Sequence, residues 1–512
     1  MITISNIWRS APSNTVLILQ ARYKSKTHWA KLKKKNSPKY KALNHFDEFY
    51  GSVFGNKWVS MKEALLRRSK YVAVVNNYGD AEQTMEYLSN RGAHCLKNLM
   101  SIQKEFHNQY NPQTETPPTE NTKQNNLDNY IAKLQSEEIS SIYPQGEDVP
   151  DNIEYSDKQF LRNSIQKDAK EKQVRSTSLN QAIEEAQIDH SRIIEPSMGL
   201  TSEALYQYVP ATKLKGLDEW VPESLHYSFM TNNVDFPLAI EPETTFSYPE
   251  HLKVMSYEMN SDYDRFPEPK RCNTGVFNYY PMDCGSVLSV LALCLSPGDR
   301  VLDLCSAPGG KALVALQTLL PDVLVCNDVS ISRCNRMDRI FRDYLMDFET
   351  GNKWHERVLI TRRDGRDFTD DHGFDKVLVD VPCTTDRHSV MEDENNIFRA
   401  DRLKERLRIP ELQSQLLLNA LRVVKVGGAV VYSTCSLSPA QNDGVVHSAL
   451  KMAFQSNGII ATIRDISAPF RALSSTLNLG SGVVKPKYGQ LIVPDIAANF
   501  GPAYVSRLVR IK

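Results

Sequence analysis

From residue 281 onward, short hydrophobic runs typical of β-strands alternate with segments whose apolar residues recur at helical spacing. This alternation predicts a mostly parallel sheet with helices on both faces, because a parallel strand needs a long crossover connection to reach its neighbour. The predicted strands are 301–304, 323–327, 358–361, 376–381 and 429–433, followed by a hairpin-like pair at 490–493 and 504–511. The predicted helices are 285–294, 311–319, 332–344 and 411–423. We therefore expect an α/β fold.

The size and cysteine content limit the class of protein. A chain of 512 residues, 41% of them hydrophobic, can bury at least one large core. Its nine cysteines form no CxxC pair, which argues against a zinc site and against a secreted disulfide scaffold. No apolar run is long enough to span a bilayer. We expect a soluble protein of a reducing compartment, with no bound metal and no membrane span.

The N-terminal stretch is strongly basic. The first 46 residues contain ten Lys and Arg residues and no Asp or Glu, with Ser and Thr around an amphipathic stretch at 7–19. This composition is typical of a mitochondrial presequence, which we place at 1–40, and it predicts a protein of the mitochondrial matrix. The alternative is an unstructured basic arm that binds nucleic acid.

Three further regions follow this stretch. Residues 41–109 mix aromatic and aliphatic positions with charges, which predicts a small helical segment. Residues 110–200 open on a polar, Pro-containing stretch with almost no apolar side chain, which predicts a disordered insertion because such a segment cannot offset its ordering entropy. Residues 201–512 are expected to form a folded domain, whose core of alternating strands and helices spans 281–512.

A glycine-containing loop follows the first predicted strand of this core. It consists of Cys305, Ser306, Ala307, Pro308, Gly309, Gly310 and Lys311. Glycines at such a turn let the backbone approach a ligand, and the N-terminus of the next helix attracts negative charge. Because the loop lacks both GxGxxG and GxxxxGKS, it suits a cofactor with an amino-acid portion better than a dinucleotide or a triphosphate. The alternative is a tight turn without a ligand.

Acidic residues follow the next two predicted strands. Asp328 comes after the second strand, where a carboxylate can accept both ribose hydroxyls. Asp364 and Gly365 follow the third strand, where Asp364 would contact an adenine ring. Arg333, in the helix after Asp328, belongs to the same predicted cofactor site.

Two cysteines follow two further strand-like runs. Cys383 ends the run 377–383, and Cys435 ends the run 430–435. A thiolate is a strong nucleophile, and attack on a pyrimidine ring is one of the few reactions that would use two thiols beside a nucleotide-like cofactor. The alternative for either cysteine is a small buried apolar residue, which is the role expected of most of the other seven.

These motifs, in this order, make the chain similar to the Sun-domain RNA cytosine-5 methyltransferases over about residues 205–512. Within that family, the segments 209–216, 380–389, 394–398 and 499–502 resemble the members that act on mitochondrial ribosomal RNA. Two positions depart from the family pattern. Ser306 replaces an Ala in the cofactor loop, and Met282 replaces a Gln before Asp283.

The resemblance implies a Rossmann-like class I fold with a seven-stranded sheet, an N-terminal helical extension and S-adenosylmethionine as cofactor. It makes Cys435 the nucleophile that adds to carbon 6 of cytosine, and it gives Cys383 a role in product release. Asp380 is expected to bind N3 and the exocyclic amine and to lie in the cofactor site as well. Lys311 would hold the cofactor loop or the base. The target cytosine has to be single-stranded or flipped out.

The resemblance also implies partners. It predicts action on mitochondrial small-subunit ribosomal RNA, a role in ribosome assembly, and a heterodimer with a helical-repeat protein of the mitochondrial transcription termination factor family. The alternatives are an assembly factor in which binding outweighs catalysis, or a transfer-RNA substrate. Basic residues in 399–408 could contact RNA phosphates or form a solvated helix face, and the aromatic residues in 277–280 could stack on bases or pack in the core.

Overall fold

The computed structural model describes residues 37–102, 229, 234–244, 246–259, 261, 265–480 and 485–512. The predicted presequence up to residue 36, the predicted insertion at 110–200 and the segment 209–216 lie outside the described residues. The described residues all belong to one unit of the chain. Among them, no helix combines the length and apolarity needed to cross a membrane.

A nine-stranded sheet forms the centre of the molecule. Its strands, in chain order, are β3 (Ile240–Pro242), β6 (Arg300–Asp303), β7 (Val323–Asn327), β8 (Val358–Thr361), β9 (Phe374–Asp380), β10 (Val424–Thr434), β11 (Ala461–Asp465), β12 (Gln490–Ile492) and β13 (Ala503–Arg510). Their order across the sheet is β3-β11-β13-β10-β9-β6-β7-β8, with β12 paired to β13. The run from β10 to β8 is parallel, and β13 is antiparallel to both of its main neighbours. The predicted α/β fold is confirmed, with β3 and β12 added to a seven-stranded arrangement.

Helices accompany this sheet. Those of the core are α4 (Cys284–Leu291), α5 (Gly310–Gln317), α6 (Ile331–Tyr344), α7 (Asp386–Met391), α8 (Leu403–Leu407), α9 (Ile409–Val423), α10 (Asp443–Asn457) and α11 (Ser467–Arg471). The central strands are buried on both faces, as shown by Val377, Leu378 and Val379, each at most 1% exposed. A strand that is covered on both faces has a continuous hydrophobic sequence, which is why these strands could be predicted from the sequence.

The segment before the core is more than the helical extension that the sequence predicted. It contains α1 (Pro38–Phe54), α2 (Lys57–Leu66) and α3 (Ala81–Ser89), but also β1 (Val72–Val75) and β2 (His94–Cys95). Strand β1 pairs with β4 (Val254–Ser256) and β5 (Tyr279–Met282) in a four-stranded sheet of order β2-β4-β1-β5. The partners of β1 lie about two hundred residues away in the chain, so local periodicity could not show that this segment is joined to the core.

Candidate active site at the carboxyl ends of the parallel strands

The predicted cofactor loop connects β6 to α5. Gly309 has a φ of 102°, and a Cβ added there would lie 2.9 Å from Cγ of Met337. The backbone N–H of Ser306 donates to the carbonyl of Asn327 at 2.8 Å, which ties the loop to the end of the neighbouring strand β7. The loop therefore needs glycine at 309 for both its turn and its packing.

A buried acid that sequence analysis did not assign to the site lies at the start of this loop. Asp303 is 1% exposed, and within the described residues neither of its carboxylate oxygens forms a hydrogen bond of normal geometry, although the buried hydroxyl of Ser306 lies near enough to work against the rise of the Asp303 pKa. Burial raises the pKa of Asp303 to about 7. Buried polar groups without partners are rare, and the ammonium group of an amino-acid-bearing cofactor would supply the missing donors. The residues present thus fit such a cofactor. Asp303 was overlooked because it reads as one polar residue inside a hydrophobic strand.

The other predicted cofactor residues occupy the ends of β7 and β8. Asp328 accepts a hydrogen bond from the backbone N–H of Ser330 at 2.9 Å and forms an ion pair with Arg333 at 3.0 Å. Asp364 is bound by the guanidinium of Arg366, which lowers the pKa of the Asp364 carboxyl. Gly365 is packed tightly, because a Cβ there would lie 2.8 Å from Cδ2 of Leu416.

The two predicted thiols meet. The Sγ atoms of Cys383 and Cys435 are 3.0 Å apart, because β9 and β10 are parallel neighbours and pair Asp380 with Ser433 just before the cysteines. The hydrogen bond from the Cys435 thiol, with the backbone N–H of Thr385, lowers the pKa of Cys383. The same contact, together with burial, raises the pKa of Cys435. When the pair holds a single proton, these opposite shifts favour the thiol at Cys435 and the thiolate at Cys383.

Asp380 and Lys311 form an ion pair beside these thiols. The Nζ atom of Lys311 donates to Oδ2 of Asp380 at 2.7 Å, and the hydroxyl of Ser433 donates to Oδ1 at 2.9 Å. Although burial works against the charge of Lys311, the carboxylate of Asp380 raises the pKa of the lysine. A fixed charge pair beside a thiol can bind a polar ring and stabilise charge that develops on it.

Comparison with known proteins agrees with this geometry. The family described as 16S rRNA methyltransferase RsmB/F matches residues 290–467. The 5-cytosine rRNA methyltransferase nsun-4 of Caenorhabditis elegans is 33% identical to this chain over 511 residues, which is 98% of each chain. The chain belongs to the RNA cytosine-5 methyltransferase family. The resemblance drawn from the motifs is thereby confirmed.

Further relatives of this methyltransferase have related names. The 5-cytosine rRNA methyltransferase NSUN4 of Xenopus tropicalis is 33% identical over 96% of this chain and 95% of its own. The mitochondrial tRNA (cytosine(34)-C(5))-methyltransferase of Mus musculus is 31% identical over 56% of this chain and 82% of its own. The crystal structure of NSun6 from Pyrococcus horikoshii with SFG is 23% identical, covers 46% of this chain and 54% of its own, and has a TM-score of 0.35.

A buried hydrogen-bond network supports the two thiol loops of the methyltransferase. At its centre is Asp386, which is 0% exposed. Its carboxylate accepts hydrogen bonds from the hydroxyls of Tyr50 at 2.7 Å, Thr384 at 2.5 Å and Ser436 at 3.1 Å, and from the backbone N–H of Leu437 at 2.7 Å. The network joins the Cys383 loop, the Cys435 loop and helix α1. Sequence analysis missed it because Tyr50 is remote in the chain.

In the described part of the chain, two clefts open at this edge of the methyltransferase. The Cys435 cleft, of about 230 Å³, is lined by Ser69, Tyr71, Asp283, Gly285, Ser286, Ser289, Lys311, Asp380, Thr385, Arg387, Ser433, Thr434, Cys435, Gly501, Pro502 and Ala503. The Cys383 cleft, of about 510 Å³, is lined in part by Cys383, Arg333, Arg366, Arg402 and Arg408. Lys311 and Asp380 thus share a cleft with Cys435.

The basic and aromatic residues considered for RNA binding have other partners as well. Arg402 pairs with Glu405, and Arg399 pairs with Asp401, as a solvated helix face would. Tyr279 is 1% exposed. The rings of Phe277 and Tyr280 lie 5.5 Å and 5.2 Å from that of Tyr344. These three aromatic residues therefore pack in the protein.

Proposed function

We propose that this methyltransferase makes 5-methylcytosine in the small-subunit ribosomal RNA of the mitochondrial matrix, through a covalent bond between Cys435 and carbon 6 of cytosine. The observation that carries this proposal is the 3.0 Å contact of Cys435 and Cys383 beside the Lys311–Asp380 pair. The basic N-terminal stretch and the mitochondrial name of the mouse tRNA relative support the compartment.

The shared proton of the cysteine pair defines the first step. Cys383, as thiolate, takes the proton of Cys435 while the Cys435 sulfur bonds to carbon 6. The ring electrons move toward N3, where the ammonium group of Lys311 offsets the growing negative charge, while the carboxylate of Asp380 accepts a hydrogen bond from the exocyclic amine. Carbon 5 becomes an enamine-like nucleophile.

The remaining steps return the cysteine pair to its starting state. S-adenosylmethionine supplies the electrophilic methyl group when it is bound. After carbon 5 has been methylated, its proton leaves to water and the bond between carbon 6 and Cys435 breaks. Cys383 returns its proton to the Cys435 sulfur as that bond breaks, which is how it assists product release.

The residues proposed to hold the cofactor are those of the loop and of the strand ends. The loop from Cys305 to Gly310 and Lys311 would border the amino-acid portion, and the carboxylate of Asp303 would bind its ammonium group. Asp328, with Arg333, would bind the ribose, and Asp364 beside Gly365 the adenine ring. The buried carboxylate of Asp303, whose oxygens form no hydrogen bond of normal geometry within the described residues, supports this assignment.

Bisulfite sequencing tests the function. Mitochondrial ribosomal and transfer RNA are compared between cells with the wild-type chain, with Cys435→Ala, and without the protein. We expect one cytosine in small-subunit RNA to be protected from bisulfite conversion only in cells with the wild-type chain. Protection confined to a transfer RNA would show that transfer RNA, and not ribosomal RNA, is the substrate. Transfer RNA is the second candidate because the chain is 31% identical to the mouse tRNA enzyme. Protection unchanged in all three would overturn the proposal.

We also propose a role in mitochondrial ribosome assembly, together with a helical-repeat partner of the mitochondrial transcription termination factor family. This proposal follows from the family resemblance. Purification of the tagged protein from mitochondria, with light scattering of the purified complex, tests it. We expect a heterodimer. A monomer that carries the full activity would contradict the proposal that a partner is needed. Rescue of assembly by Cys435→Ala would show that binding outweighs catalysis.

A further inference from the structure

One wall of the Cys435 cleft comes from the N-terminal part of the chain. Ser69 and Tyr71, in the connection between α2 and β1, line this cleft together with Cys435, Lys311 and Asp380. Sequence analysis gave this connection no function.

The connection is held in place by the segment 499–502, one of the segments that the sequence singled out. The backbone N–H of Lys70 donates to the carbonyl of Asn499 at 2.9 Å, and the amide of Asn499 donates to the carbonyl of Arg68 at 2.9 Å. Arg387, beside the Cys383 loop, donates to the carbonyl of Arg67 at 2.9 Å and to Asn499 at 2.8 Å. This part of the cleft is therefore preformed rather than a free loop.

Tyr71 presents an aromatic ring at this wall. The residue is 41% exposed, although most of the aromatic residues in the described part of the chain are buried. Within the described residues, Tyr71 stacks on no other ring and lies under no cation, whereas Tyr50, Tyr78 and Tyr279 all have ring partners. An exposed ring on a backbone that is held in place is a feature with which proteins bind unstacked nucleobases.

We propose that Tyr71 stacks on the cytosine that Cys435 attacks and holds it against Lys311 and Asp380. The inference rests on the proposed function, because it requires an RNA base in the Cys435 cleft. A flipped base loses its stacking neighbours, and a ring in the cleft replaces one of them. Tyr71 is thus a positioning residue for the substrate and takes no part in the bond changes.

Steady-state methylation tests this role. The substrates are transcripts of mitochondrial small-subunit ribosomal RNA and of mitochondrial transfer RNA, with labelled S-adenosylmethionine in excess. Tyr71→Phe keeps a ring and is expected to stay within about twofold of the wild type. Tyr71→Leu keeps apolar bulk without a ring, and Tyr71→Ala removes both. Both are expected to raise KM for RNA on the order of tenfold or more, with unchanged melting temperatures.

Tyr40→Ala is the matched control. Tyr40 is 42% exposed, and it is absent from the lining of both described clefts, so its loss should leave KM unchanged. If Tyr71→Leu or Tyr71→Ala methylates as the wild type does, stacking by Tyr71 is disproved while the proposed function stands. If the wild type methylates neither RNA, the proposed function fails, and the inference falls with it.

Discussion

The hydroxyl of Tyr50 in helix α1 donates a 2.7 Å hydrogen bond to Asp386, whose own backbone N–H donates to the carbonyl of Cys435 at 3.2 Å. A residue of the N-terminal segment thus reaches the carboxylate that lies behind both thiols. Because the carboxylate is buried, each donor to it contributes more than an exposed donor would. The N-terminal helix is therefore part of the support of the active site.

Replacement of Tyr50 by Phe removes one donor and leaves the ring in its packing. We expect the free energy of unfolding to fall by about 1.5–3 kcal/mol, since the acceptor is a buried carboxylate. The rate constant kcat should fall as well, because Asp386 positions both cysteine loops. Urea unfolding measures the free energy of unfolding, and steady-state methyl transfer at saturating RNA measures kcat. Tyr40→Phe serves as the control, and equal stability of the two variants would contradict this role of Tyr50.

Much of the core could be predicted from the sequence because its signals are local. The strands β7 and β8 have the predicted bounds, and β6 and β9 differ by one or two residues, since buried parallel strands are continuous hydrophobic runs. The meeting of Cys383 with Cys435 follows from two motifs at the ends of neighbouring strands. In contrast, the strands that pair with β1 lie in distant segments, and Tyr50 reaches Asp386 across 336 residues of chain. Such long-range contacts leave no periodic pattern in a single sequence.

The two cysteines should give different products when each is replaced. In Cys435→Ala no bond to RNA can form, so no methyl transfer is expected. In Cys383→Ala the sulfur of Cys435 loses the neighbour that raises its pKa and can still attack, but the proton needed for release is missing. A protein–RNA adduct that survives denaturing electrophoresis is expected only for Cys383→Ala. An adduct with Cys435→Ala would assign the nucleophile to another residue.

Cofactor binding should depend on pH through Asp303. With a pKa of about 7, this carboxyl is ionised above neutrality and protonated below it, so it can bind an ammonium group only in the upper range. The Kd for S-adenosylmethionine, measured by calorimetry, should therefore rise as pH falls from 7 to 5.5, approaching about tenfold per unit. Asp303→Asn should bind weakly at every pH in this range. The same pH slope in both proteins would show that another group is responsible.

Arg387 should not tolerate replacement by Lys. Its guanidinium donates to the carbonyls of Gly501, Ala64 and Arg67 and to the side chain of Asn499, a planar set of donors that one ammonium group cannot reproduce. We expect Arg387→Lys to destabilise the protein by about 1–3 kcal/mol, because buried acceptors lose their donors. Hydrogen exchange should increase at residues 64–71. Arg399→Lys, at an exposed surface pair, is the control and should change neither quantity.

The sheet order also has a consequence for the newly made chain. Strand β13 lies between β10 and β11, and Gly501, Pro502 and Ala503 before and within it line the Cys435 cleft. Among the described strands, β13 is the last in chain order, yet it fills the gap beside β10, the strand that ends just before Cys435. We therefore expect a chain whose β13 has not yet left the ribosome to have a split sheet and an open cleft, and to become active only once this strand is in place.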